Sequence, residues 1–187
     1  MTCIIGLIEN DVVYIGADSA GVVVSHHKLR IRKDKKMFEK DGFLVGYTDS
    51  YRMGQIIQYE MPFPQMNEET CNPHEFMVTQ FVKALRESLQ LNGWLYKKDE
   101  REDGGTFLVG FKYCNEPHLF TICNDFQVAE STLPFQACGS GEECALASMW
   151  ENYLDMSIPP EEKITRALRC ASQFNITVAP PFHVLSI

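Results

Sequence analysis

Two apolar, β-rich runs open the chain, Thr2–Ile8 and Val12–Ala17, and the turn composition of Glu9-Asn10-Asp11 between them predicts a hairpin. Further β-rich stretches cover Val22–Ser25 and Gly42–Tyr47. Helical spacing of Met53, Ile56, Ile57 and Met61 then predicts a helix over Tyr51–Tyr59, ended by Pro62 and Pro64. Asn72-Pro73-His74-Glu75 has the marks of a helix start: an Asn cap, Pro at the first helical position and Glu three residues after the cap. Met77, Phe81, Leu85 and Leu89 follow on one face, and Asn92-Gly93 supplies the stop. Lys97–Gly105 is charged and ends in Gly-Gly, which predicts an exposed loop.

The second half repeats the plan. Thr106–Tyr113, His118–Cys123 and Phe126–Ala129 read as a meander, and Phe135–Cys138 is a short strand running into Gly139-Ser140-Gly141. Helices over Glu142–Tyr153 and Glu161–Gln173 precede a last strand, Phe182–Ile187. Each of two β-rich blocks is thus followed by a pair of helices. This is not the βαβα alternation of a parallel sheet. It predicts an α+β domain spanning 1–187, two antiparallel sheets packed together with helices outside each.

The chain has 187 residues, 45% hydrophobic and 22% charged, which argues against disorder. No apolar run reaches the roughly 18–20 residues of a membrane span, and the first residues lack the basic region of a signal peptide. The seven cysteines are odd in number and form no CxxC pair, so reduced thiols and a cytoplasmic location are expected. Cys71 and His74 are half a zinc site at most, so no metal and no cofactor is expected. The net charge of -8 disfavours nucleic acid as a partner. It is unevenly spread: residues 26–40 hold seven Lys and Arg against Asp34 and Glu39, a local +5. That run is either a solvated surface or a place where a lysine serves chemistry or an anionic ligand.

Thr2 stands directly behind Met1. Methionine is commonly trimmed before a small residue, and trimming here leaves a threonine with a free α-amine. A hydroxyl needs a base within hydrogen-bond reach to become a nucleophile. An α-amine titrates near 7.7–8.0, so one residue then supplies both groups.

Thr2-Cys3-Ile4-Ile5-Gly6, then Val12-Val13-Tyr14-Ile15-Gly16-Ala17-Asp18-Ser19, resembles the opening of a proteasome β-type subunit of the N-terminal nucleophile hydrolases. The likeness continues at Lys36-Met37-Phe38, at Phe43-Leu44-Val45-Gly46-Tyr47 with Ser50–Gln55, and at Phe107–Gly110, Pro117–Phe120 and Gly139-Ser140-Gly141. It is nearest to the divergent bacterial and phage members. The resemblance implies a four-layer αββα sandwich, a homo-oligomer and a threonine-type hydrolase acting on a peptide or small amide. A self-assembled particle is expected on that ground and from aromatic helix residues such as Phe76 and Phe81 beyond one core stripe. Thr2 would be nucleophile and base. Lys36, or Lys35 under another gap placement, would lower the proton affinity of Thr2 by its charge. Asp18 would hold that lysine, and Ser140 would bond the terminal amine. An Asp18→Asn change is expected to harm function more than fold.

The sequence also departs from the family. Asn175 falls where the family has an aspartate supporting the amine, and Val178 where it has a serine. The glycine whose N–H forms the oxyanion hole falls near Thr48 or Asp49, and a carboxylate there would oppose developing negative charge. A rival reading follows: a catalytically silent subunit of the same fold, acting by oligomerisation or by binding a ligand. Cysteine chemistry at Cys3 is disfavoured, because on a strand its side chain points away from the side that Thr2 faces.

Overall fold

The computed structural model describes residues 2–23, 28–66, 72–98 and 101–187. The opening hairpin pairs β1 (Ile4–Glu9) with β2 (Val12–Ala17), Glu9 facing Val12. Asn10 and Asp11 both take positive φ, 53° and 58°, the primed turn whose twist matches the strands it joins. Two other strands complete this sheet, β12 (Phe135–Cys138) beside β1 and β13 (His183–Ser186) beside β2. The second sheet runs β11 (Val128–Glu130), β10 (Glu116–Ile122), β9 (Phe107–Tyr113), β6 (Phe43–Tyr47), β5 (Met37–Lys40), antiparallel throughout.

Strand alternation sorts the buried side chains into three clusters. Cys3, Ile5 and Leu7 pack against Met149, Ile164, Leu168 and Ala171 of two helices, α4 (Glu142–Asn152) and α5 (Pro160–Phe174). The intervening Ile4, with Val13 and Ile15, meets Leu44, Leu108 and Leu119 of the other sheet. The far face of that sheet presents Phe43, Val45, Phe107, Phe111 and Phe120 to Met53, Ile56, Phe76, Phe81 and Leu85. These last five belong to the helical segment of the first half. It comprises α1 (Tyr51–Tyr59), α2 (Pro73–Phe76), a π-helical turn over Met77–Phe81, and α3 (Val82–Leu91).

The caps follow their residues. Ser50 Oγ accepts from Arg52 N at 3.1 Å, and Asn72 Oδ1 accepts from His74 N and Glu75 N at 2.9 and 3.2 Å. The π turn has a physical reason. Residues spaced four apart, as Met77, Phe81, Leu85 and Leu89 are, drift about 40° per step around a helix of 3.6 residues per turn. A wider turn keeps them on one face, and all four are buried.

Three expectations change. Residues 97–105 are not a plain loop: β7 (Tyr96–Lys98) pairs with β8 (Arg101–Asp103). The stretch expected over Val22–Ser25 begins earlier, as β3 (Ala20–Val23) paired with β4 (Lys28–Ile31) inside the basic run; Val24 and Ser25 lie outside the described residues. Phe76 and Phe81 are buried core, not surplus aromatics for assembly. Among the described residues no helix is long and apolar enough to cross a membrane, and six cysteines are free. No group of three metal-binding side chains stands together among them; Cys71, half of the weighed zinc pair, lies outside.

Candidate functional site

Where β2 ends, Asp18 turns its carboxylate back under the start of β1. Oδ1 accepts from Cys3 N at 3.0 Å and from Lys36 Nζ at 2.8 Å; Oδ2 accepts from Ala20 N at 2.9 Å and Ala179 N at 3.2 Å. The side chains of Lys36 and Asp18 are 2% and 0% exposed, so the ion pair is desolvated and holds only because its hydrogen bonds are filled. Burial pulls the Lys36 ammonium below its ordinary value, and the Asp18 carboxylate opposes the shift. Lys35, the alternative, is exposed, and its carbonyl accepts from the Tyr47 hydroxyl at 3.0 Å.

Thr2 is buried and lines a cavity of about 420 Å³ with Lys36, Thr48, Asp49 and Tyr51. Its nitrogen donates to Ser140 Oγ at 3.1 Å. Ser140 sits between Gly139 and Gly141 in the turn entering α4. Gly139 has φ +98°, and a Cβ there would strike the Thr2 carbonyl.

Ser140 Oγ lies 2.7 Å from Thr177 Oγ1, whose hydroxyl reaches Asn175 Oδ1 at 2.6 Å. An amide oxygen only accepts. Thr177 therefore donates to Asn175, Ser140 donates to Thr177, the nearer of its two acceptors (the Thr2 carbonyl is at 3.3 Å), and the Ser140 lone pair is left for the Thr2 nitrogen. Asn175 is oriented by two backbone partners. Its Oδ1 also accepts from Thr177 N at 3.0 Å, and its Nδ2 donates to Ser140 O at 2.6 Å. An aspartate could not make that second bond, so asparagine fits this position by its own chemistry.

The hydroxyl expected at position 178 is thus present one residue earlier. Val178 is buried against Gly141 and Ala171, while Thr177 reaches Ser140. Counting residues from the last helix missed Thr177. The signal available was the hydroxyl itself, two residues after Asn175, because an Asn side chain accepts from the backbone two residues on and closes a turn that carries Thr177 beside it.

Thr48 N is committed to Thr106 O at 3.0 Å, whereas Asp49 has φ 59°, the left-handed region that glycine favours. The Asp49 carboxylate accepts from Thr48 Oγ1 at 2.9 Å and from Thr106 N at 3.1 Å. Its charge is tied to the edge of β9. Cys3 lies among core side chains, and burial raises its thiol well above the usual range.

No family model matches the chain, and no curated protein matches it in sequence. Solved structures do resemble it. BPH of Thiobacillus denitrificans superposes with a TM-score of 0.75 at 17% identity, over 99% of this chain and 97% of that one. Anbu (ancestral beta-subunit) of Yersinia bercovieri gives 0.70 at 15%, over 98% and 80%. The eukaryotic HslV of Trypanosoma brucei gives 0.67 at 16%, over 98% of each chain. At these identities the likeness concerns the fold alone, which is mixed α/β and proteasome-like.

Proposed function

We propose that this chain is a threonine-type amide hydrolase, a peptidase, in which Thr2 attacks the substrate carbonyl once it is the first residue. The observation that carries the reading is the filled Lys36–Asp18 pair on the wall of the cavity that Thr2 lines, with Ser140 held on the Thr2 nitrogen. In this mechanism the Thr2 amine takes the proton of its own hydroxyl, and Oγ1 bonds to the substrate carbonyl carbon. Lys36 lowers the proton affinity of both groups, so that the amine is free near neutral pH. Asp49 N–H serves as the oxyanion donor, because Thr48 N–H is already used. The amine, now protonated, passes its proton to the leaving nitrogen; water then cleaves the ester on Thr2. Ser140, Thr177 and Asn175 orient the amine.

The same reading extends to the whole chain: one domain with a four-layer αββα arrangement, supported by the three clusters of buried side chains, and a homo-oligomer in the cytoplasm. A second reading has its own support. Asn175 brings no negative charge to the amine, which suits a silent subunit that works by assembly or ligand binding. Intact mass separates the two. A purified protein lacking one methionine, with turnover of small peptide amides, is the expected result; a population wholly retaining Met1 contradicts the hydrolase.

A further inference from the structure

The cavity beside Thr2 has a charged wall. Arg30 on β4 and Arg32 just beyond it line it together with Thr48 and Tyr51. The Arg32 stem crosses Gly21, where a Cβ would lie 2.8 Å from Arg32 Cδ. Its guanidinium sits 3.8 Å from the Tyr51 ring centroid and forks onto Asp34 through Nε and Nη2 at 2.8 and 2.6 Å. Three contacts therefore fix the group in place, and the fork uses two of its five N–H donors.

Asp34 and Asp49 are the carboxylates that line the cavity, and each is already hydrogen-bonded. Asp34 is bound to Arg32, which holds its carboxyl below the usual value, and Asp49 to Thr48 and Thr106. Lys36 is bound to Asp18. Among the described residues Arg30 has no carboxylate within ion-pair distance. All four residues of β4, Arg30 among them, are exposed, Lys33 and Lys35 follow, and the run over residues 26–40 carries +5 in a chain of -8. Such a patch concentrates anionic groups at its mouth, and salt screens it beyond about 10 Å at 0.1 M.

We propose that this cavity receives an acidic side chain, so that the substrates are peptides cut after glutamate or aspartate, with Arg30 and Arg32 as the selecting residues. The inference rests on the hydrolase reading for the cut, and on the cavity alone for the acid. A leucine there would desolvate Arg30 without a partner, and a lysine would meet like charge.

Acetylated tetrapeptides bearing Glu, Leu or Lys before a fluorogenic leaving group test it, with protein beginning at Thr2. The Glu substrate is expected to exceed the other two at least tenfold in kcat/KM at 50 mM salt, with the advantage shrinking at 0.5 M. In Arg30→Gln/Arg32→Gln the Glu-to-Leu ratio should fall to about one. Arg30→Gln alone, at an exposed position, should lower it severalfold if the double variant folds poorly. A wild type preferring Leu or Lys, or a ratio that survives these substitutions, overturns the proposal. The same peptides as primary amides with fluorescein in place of the acetyl group, titrated into Thr2→Ala by fluorescence anisotropy, separate the two claims. No turnover by the protein beginning at Thr2, with the Glu peptide bound tenfold more tightly than Leu by Thr2→Ala, overturns the hydrolase and upholds the acidic receptor. Turnover with Leu bound as tightly as Glu does the reverse.

Discussion

Asp18 is the residue on which the site and the fold converge. Three backbone N–H groups and the Lys36 ammonium end on its two oxygens, in a place water does not reach. The amide introduced by Asp18→Asn would set an N–H donor against at least one of these donors. The expectation that Asp18→Asn harms function more than fold therefore gives way to a prediction that it harms both. Breaking a buried pair from one side costs about 3–5 kcal/mol, on the scale of a core truncation such as Leu108→Ala. Urea unfolding of the two variants should show similar losses; a loss under about 1 kcal/mol for Asp18→Asn would mean the network tolerates an amide. The pH profile follows from the same pair. As pH rises, kcat/KM should increase while the Thr2 amine loses its proton, with a midpoint at or below 7.7–8.0 because the Lys36 charge disfavours a second cation. At higher pH it should fall as Lys36 itself deprotonates. Burial places that limb below the ordinary lysine value of 10.5. In Lys36→Arg the upper limb should vanish. A profile flat from pH 6 to 10 contradicts this account.

At the scale of elements, the segment after α5 does more than end a helix. Asn175 caps it in an extended conformation, and the turn that follows, closed by Val178 N donating to Asn175 O at 3.1 Å, leaves Phe174 and Ile176 exposed while Asn175 and Thr177 reach Ser140. Thr177→Val keeps the shape and removes the hydroxyl between Ser140 and Asn175. Its stability loss should be about 1 kcal/mol by thermal denaturation, with a larger fall in kcat/KM that Thr177→Ser restores. Equal activity in Thr177→Val would remove the relay from the mechanism. The N-terminal strands, their turn and the capped helices were legible because local chemistry sets them: alternation, Asn-Asp at left-handed positions, Ser50 and Asn72 as caps. Thr2, Asp18, Lys36 and Ser140 lay at readable spacings, and they do meet. Thr177 was not legible, because which of two neighbouring residues faces Ser140 depends on the path of an irregular segment. The β7–β8 ribbon was hidden by its charges, and the π turn by a pattern that an ordinary helix also satisfies.

For the molecule as a whole, burial removes one argument for assembly and supplies another. Phe76 and Phe81 are core, but Trp150, Leu154 and Met156 stand 56–76% exposed around the end of α4, with Phe174 and Ile176 at 76% and 90% around the end of α5. Apolar surface left in this way is a mark of interfaces. Light scattering at micromolar concentration should therefore show a particle several times the 21.4 kDa chain. A monomer throughout that range, unchanged by Trp150→Ser with Leu154→Ser, would leave these residues without a partner copy. The central claim is chemical, however, and one measurement reaches it directly: covalent labelling by an electrophile that traps a vicinal amine and hydroxyl together, read by peptide mass spectrometry. Protein beginning at Thr2 should carry one adduct, on Thr2, with activity lost in proportion; Thr2→Ala should take no label and turn over no substrate. Turnover surviving in Thr2→Ala, or no adduct on a chain proven to start at Thr2, would contradict the account.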